Sequence, residues 1–173
     1  MENNFVEISS AVDNFMLNEC NLDNIFNSIV RIEYTFKESE KYGTGFFIKI
    51  PNLKSNLYFN FILTSEHVIP ENLIEEKITI NIFFGNLKNE EIKSIDLDKE
   101  GRYIKCDTKY EYTIIQILEQ DKFYEAQYLL PDLNYKNEYE FYKDIPCHLA
   151  GYIKSNEKIE TFISNGKIIK INE

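Results

Sequence analysis

Apolar residues two apart account for most of the structure this chain predicts. Val30, Ile32 and Tyr34 alternate with Arg31, Glu33 and Thr35, and Ile78, Ile80, Ile82 and Phe84 alternate with Thr79, Asn81 and Phe83. Residues two apart share one face of an extended backbone, so each run predicts a half-buried strand. Phe46–Ile50 and Tyr58–Leu63 predict two more, joined by a loop containing Pro51, Asn52, Ser55 and Asn56. Thr113–Leu118, TIIQIL, predicts another, and a less regular run from Ile92, Ile95 and Leu97 to Tyr103–Cys106 completes a set of six. Lys37–Tyr42 is charged and predicts a loop, Pro70–Lys77 a connection with a helical turn at Glu71–Glu76, and Gly85-Asn86 with Lys88–Glu90 a turn. Gly43 and Gly45 flank Thr44 at a strand start, where glycines mark a bulge or a close backbone approach. No helix signal follows them, which argues against a nucleotide-binding glycine loop. Six short strands separated by turns, without βαβ spacing, predict an all-β fold, an antiparallel barrel or sandwich.

The flanks read differently. Within 1–27, Ser9 or Ser10 caps a predicted short helix through about Glu19, with Val12, Phe15 and Met16 on one side. Such an arm covers an open end of a core, or serves as a pro-segment or partner-binding helix. Asn21–Asn27 is rich in Asn and Asp and predicts a turn. Gln120–Tyr142 is a polar connection around Leu129-Leu130-Pro131, and two further strands follow at Ile145–Ile153 and Thr161–Ile171.

Composition narrows the function classes. A chain of 173 residues holds one domain, or one and the start of another. A hydrophobic fraction of 43% and an aromatic fraction of 14% suffice for a packed core. A net charge of -10 argues against nucleic acid, because phosphate binding needs clustered Lys and Arg, and suits basic peptides better. No run approaches the roughly 20 apolar residues of a membrane helix. The start, MENNFVEISS, is unlike a secretory leader, and Cys20, Cys106 and Cys147 lack C-x-x-C spacing. Free thiols fit a reducing compartment, so the expected location is cytoplasmic. Two distant histidines and scattered cysteines make no ligand set, so no metal and no cofactor are expected.

The stretch richest in chemistry is Gly43–Ile69, GTGFFIKIPNLKSNLYFNFILTSEHVI, which places His67 where a strand gives way to a turn. A histidine there sits on rigid backbone yet reaches solvent, as a general base must. The plain alternative is an exposed turn histidine with no task. GTGFFI followed by FILTSEHVI resembles the N-terminal half of a trypsin-like (chymotrypsin-fold) serine protease, where G-T/S-G-F is followed by L-T-x-x-H-V/C. The likeness runs from roughly Ile29 to Ile171. It implies a six-stranded antiparallel barrel over 28–119 after the 1–27 arm, an inter-barrel linker at 120–143, and the opening strands of an incomplete second barrel at 144–173. It also implies that His67 is the catalytic histidine.

The resemblance places Glu111 where the family has an acid, since Glu111-Tyr112-Thr113-Ile114-Ile115 aligns with D-[IVF]-[AT]-[ILV]-[ILV]. That acid holds the imidazole in one tautomer and stabilises its protonated form. Glutamate is one methylene longer, and an error near 1 Å can cost about 10²-fold in rate. Asp107 is the fallback acid, and an ordinary surface carboxylate is the plain reading of Glu111. The proline expected after Tyr152 is Ile153, and His148 has no acid partner and reads as structural. The nucleophile is missing: none of the six glycines supplies a G-x-S-G context, and neither Cys106 nor Cys147 has one. The expectation is a trypsin-like protease homologue, inactive alone, acting as a pseudoprotease or protein-binding module with a peptide or protein partner. One alternative is the N-terminal part of an active endopeptidase whose serine lies in a complementary chain or C-terminal half. Another is an unrelated β-barrel interaction module.

Overall fold

A computed structural model of the chain describes residues 6–9, 24–52, 54–55, 57–85, 89–131, 146–155 and 158–171. The strands are β1 (Val6–Ser9), β2 (Ile29–Phe36), β3 (Ser39–Pro51), β4 (Tyr58–Ser65), β5 (Thr79–Phe84), β6 (Glu91–Asp96), β7 (Ile104–Asp107), β8 (Tyr112–Gln116), β9 (Pro146–Ser155) and β10 (Lys158–Ile171). A short helix α1 (Glu71–Glu75) and a 3-10 turn (Glu119–Asp121) complete them. None of the described helices is long and apolar enough to cross a membrane. The fold is therefore mostly antiparallel β, in two compact units: Asn18–Pro131, and Met1–Leu17 together with Asp132–Glu173.

In the larger unit seven strands form one sheet in the order β6-β5-β2-β3-β4-β8-β7. Alternation dictates which side faces in. Val30, Ile32, Phe47, Ile62, Ile80, Ile82, Phe84, Ile95 and Ile115 are essentially fully buried in one cluster, joined there by Ile69 and Leu73 from the β4–β5 connection. Each such side chain contributes about 1.5–3 kcal/mol when fully buried. Phe47 anchors the cluster, with its ring 5.4 Å from those of Phe84, Phe123 and Tyr128. The edge strands β6 and β7 are consecutive in the chain, and the 3-10 turn after β8 packs against β6. Arg102, between the two edges, makes a buried fork with Asp121, at 2.8 and 3.1 Å, and donates to the Gln116 carbonyl. β6 and β7 thus form the two edges of an open sheet.

Two sequence expectations need correction. The run from Ile92 to Cys106 is not one strand but two, on opposite edges of a seven-stranded sheet rather than within a six-stranded one. Asp98 splits it, because its carbonyl accepts the N–H groups of both Gly101 and Arg102 and turns the chain. The loop expected over Lys37–Tyr42 shrinks to Lys37 and Glu38, with φ of 49° and 62°, and pairing resumes at Phe36 opposite Ser39. Two positive φ values match the strand twist across a two-residue hairpin, but their usual marks are Gly and Asn, both absent here.

The smaller unit is a three-stranded sheet in the order β1-β10-β9. β10 runs antiparallel to β9 from Lys158 opposite Ser155 to Lys167 opposite Pro146. β1 lies on its other side, with Val6 opposite Ile171 and a register shift between Glu7 and Ile8. Both strands expected after 144 are present. Val6–Ser9, just ahead of the predicted helix, is a strand, and the helix expected through about Glu19 lies outside the described residues. Of the expected linker, 132–143 also lies outside them. Its start is ordered: Leu129 pairs with Ile48, and the Lys49 and Leu129 N–H groups bond across to the carbonyls of Leu129 and Phe47.

Candidate functional site

His67 lies in the turn that follows β4. The Val68 and Ile69 N–H groups bond the Ser65 carbonyl at 3.0 and 3.3 Å, which folds the backbone over and turns the imidazole into solvent. Ser65 stands opposite Tyr112 in the β4–β8 ladder, and the Glu66 N–H donates to the Glu111 carbonyl at 3.1 Å. The backbones carrying positions 67 and 111 are therefore neighbours at one end of the sheet. Glu111 is exposed and adopts a φ of 55°, a left-handed conformation that costs a glutamate about 1–2 kcal/mol. The imidazole and the carboxylate are not hydrogen-bonded to one another.

What surrounds the turn is buried and tightly made. The Tyr34 hydroxyl donates to the Val68 carbonyl at 2.8 Å, and the Thr113 hydroxyl to the Ile69 carbonyl at 2.7 Å. One strand position earlier, Thr64 donates to the Thr44 carbonyl at 2.8 Å. The close approach anticipated at Gly43 and Gly45 is present at both. A Cβ on Gly43 would lie 2.4 Å from Val68 Cγ1, and one on Gly45 would lie 2.9 Å from the Leu63 carbonyl oxygen. Burial pushes the Tyr34 phenol above its usual range, which keeps it a neutral donor.

The fallback acid, Asp107, has partners of its own. The Asp107 carboxylate accepts from Lys105 at 3.0 Å and from the Tyr110 N–H at 3.1 Å, and these partners hold it below the usual carboxylate range. Lys105 is pushed upward by its hydrogen bonds to the Tyr112 hydroxyl and to Asp107. Asp107 is thus committed to its own turn. Cys106 is half-buried opposite Thr113. His148 stands opposite Asn165 and Cys147 opposite Gly166 in the smaller sheet, while Cys20 lies outside the described residues. Among the described residues no group of three or more His, Cys, Asp and Glu is placed to hold a metal ion. Comparison of the chain with family models, curated proteins and solved structures finds no match.

Tyr34 and Thr113 are the residues of this region that sequence reasoning passed over. The available signal was slight: each is a hydroxyl at a position that alternation assigns to the core. A buried hydroxyl needs a partner, and the Val68 and Ile69 carbonyls supply it.

Proposed function

We propose that this chain is a homologue of the trypsin-like serine proteases that keeps the histidine and acid positions, lacks a nucleophile, and works as a peptide- or protein-binding module. The single observation that supports it most is the backbone hydrogen bond between Glu66 and Glu111, which makes the backbones at 67 and 111 neighbours at one end of the sheet. The strand order adds support. Its central strands, β5-β2-β3-β4-β8, form one continuous antiparallel sheet, as the larger part of a barrel would. The smaller sheet stands for the opening of a second barrel. A binding role draws on an apolar stripe in the larger unit: Phe59 and Tyr103 are 43% and 54% exposed, and their rings flank Phe61 at 6.5 and 6.2 Å. Contiguous exposed apolar patches mark interaction surfaces when they are large. The charge of -10 favours a basic partner.

A second reading, the N-terminal part of an active endopeptidase, draws on the solvent-facing imidazole above a buried, well-bonded turn. A serine-directed fluorophosphonate probe tests both. The chain alone should take no label, since removing the nucleophile leaves only residual catalysis. Labelling of the isolated chain overturns the pseudoprotease reading. His67-dependent labelling that appears only on addition of a serine-bearing second chain decides for the active one.

A further inference from the structure

We infer that Tyr34 and Thr113 are positioning residues for His67, a pair of buried hydroxyls that immobilise the turn on which the imidazole stands. The inference deepens the proposed function and rests on it for treating His67 as the functional side chain.

The two hydroxyls come from different strands, β2 and β8, and converge on consecutive carbonyls, those of the two residues immediately after His67. Both bonds, at 2.8 and 2.7 Å, are of ordinary O–H···O length, buried, and reach across 34 and 44 positions of sequence. Val68 also packs directly onto bare Gly43, where a Cβ would lie 2.4 Å from its Cγ1. The segment before His67 is tied as well, through Glu66 to the Glu111 carbonyl and through the Ser65 carbonyl to Val68 and Ile69. His67 is the one exposed residue between buried or half-buried neighbours from Leu63 to Pro70. Satisfying two buried carbonyls would by itself explain the hydroxyls, since unpaired buried carbonyls are rare. It does not explain why both grips fall on the residues adjoining the solvent-facing imidazole. A side chain held for chemistry or recognition needs its backbone fixed to within a fraction of an ångström.

Backbone NMR relaxation on the full chain separates positioning from plain stabilisation. In the unaltered protein the amide order parameters of Glu66–Ile69 should match the strands, near about 0.85. Tyr34→Phe and Thr113→Val should each leave the β2–β4 and β8 amide signals in place. At His67 and Val68 they should drop the order parameter below about 0.6 and move the His67 ring resonances toward those of a free peptide. Thr113→Ser keeps the hydroxyl and should restore both readouts. Ile104→Val, a core change elsewhere in the sheet, should lower the thermal midpoint without moving them. A turn already mobile in the unaltered protein overturns the inference without any variant. So does a Tyr34→Phe or Thr113→Val protein that loses stability while its His67 signals stay put. These readouts report on the turn, and probe labelling reports on the protease reading, so either can fail alone.

Discussion

Gly43→Ala probes the contact beneath the His67 turn directly. The added Cβ would sit 2.4 and 2.5 Å from the Val68 γ-carbons, against ordinary contacts of about 3.5–4.0 Å, so one side must retreat by about 1 Å. Val68 has little freedom to do so. It is β-branched, 8% exposed, and its carbonyl is held by Tyr34. Overpacking of this kind costs about 1–3 kcal/mol. The alanine gains about 0.4–1 kcal/mol by stiffening the unfolded chain, and the clash outweighs it. Net destabilisation should be about 1–2 kcal/mol. Val68→Ala removes two buried methyl groups and should cost about 1.6 kcal/mol at about 0.8 each. In the double variant the closest remaining neighbour is Val68 Cβ at 3.1 Å, tight by only a few tenths of an ångström. Gly43→Ala/Val68→Ala should therefore be scarcely less stable than Val68→Ala alone, with a coupling of about 1–2 kcal/mol. Urea unfolding followed through β3 and β4 amide signals reports on the larger unit. With a slope of about 2 kcal/mol/M, Gly43→Ala alone should move the midpoint by about 0.5–1 M. Additivity within about 0.5 kcal/mol, or a Gly43→Ala protein as stable as its parent, would refute the steric argument.

Two further outcomes test the rest of the larger unit. The Arg102–Asp121 fork has side chains only 8% and 7% exposed, and Asp121 also accepts the Leu118 N–H. Asp121→Asn keeps an acceptor but leaves the guanidinium buried without its counter-charge, so thermal unfolding should show a loss of about 3–5 kcal/mol. A loss below 1 kcal/mol would mean that the larger unit does not depend on this pair. Burial and the neighbouring Asp121 charge push the Tyr128 phenol up to about 12, against 10.0 in an unfolded chain. Its folded pKa is the higher one, so its contribution is complete below pH 10 and is lost as pH rises toward 12. The stability of the parent should thus fall across that window more steeply than that of Tyr128→Phe, as read by denaturant midpoints at pH 9, 10 and 11. Parallel pH curves for the two proteins would count against a desolvated Tyr128 hydroxyl.

Much of the larger unit was legible because strand alternation is local. The period-two runs around Val30 and Ile80 need no knowledge of partners to show which side chains turn inward. The hairpin at Lys37-Glu38 escaped notice because its two positive φ values fall on residues that carry no turn signature. The division of 92–106 into β6 and β7 escaped for a different reason. Each half follows its own partner, β5 or β8, and the choice is made across the sheet. The site divides in the same way. The TSEHV pattern picks out His67 at the end of a strand, whereas the worth of Tyr34 and Thr113 rests on carbonyls 34 and 44 residues away.

The order of residues alone thus established an all-β chain, the inward faces of its strands, an imidazole at a strand end, and the want of a G-x-S-G nucleophile. Folding in three dimensions decided which strands lie at the edges, that the N-terminal strand joins the C-terminal hairpin, and which hydroxyls grip the His67 turn. The reason is physical. Side-chain alternation is a property of consecutive bonds, while ladder pairing and buried hydrogen bonds join atoms whose separation along the chain carries no information about their distance in space.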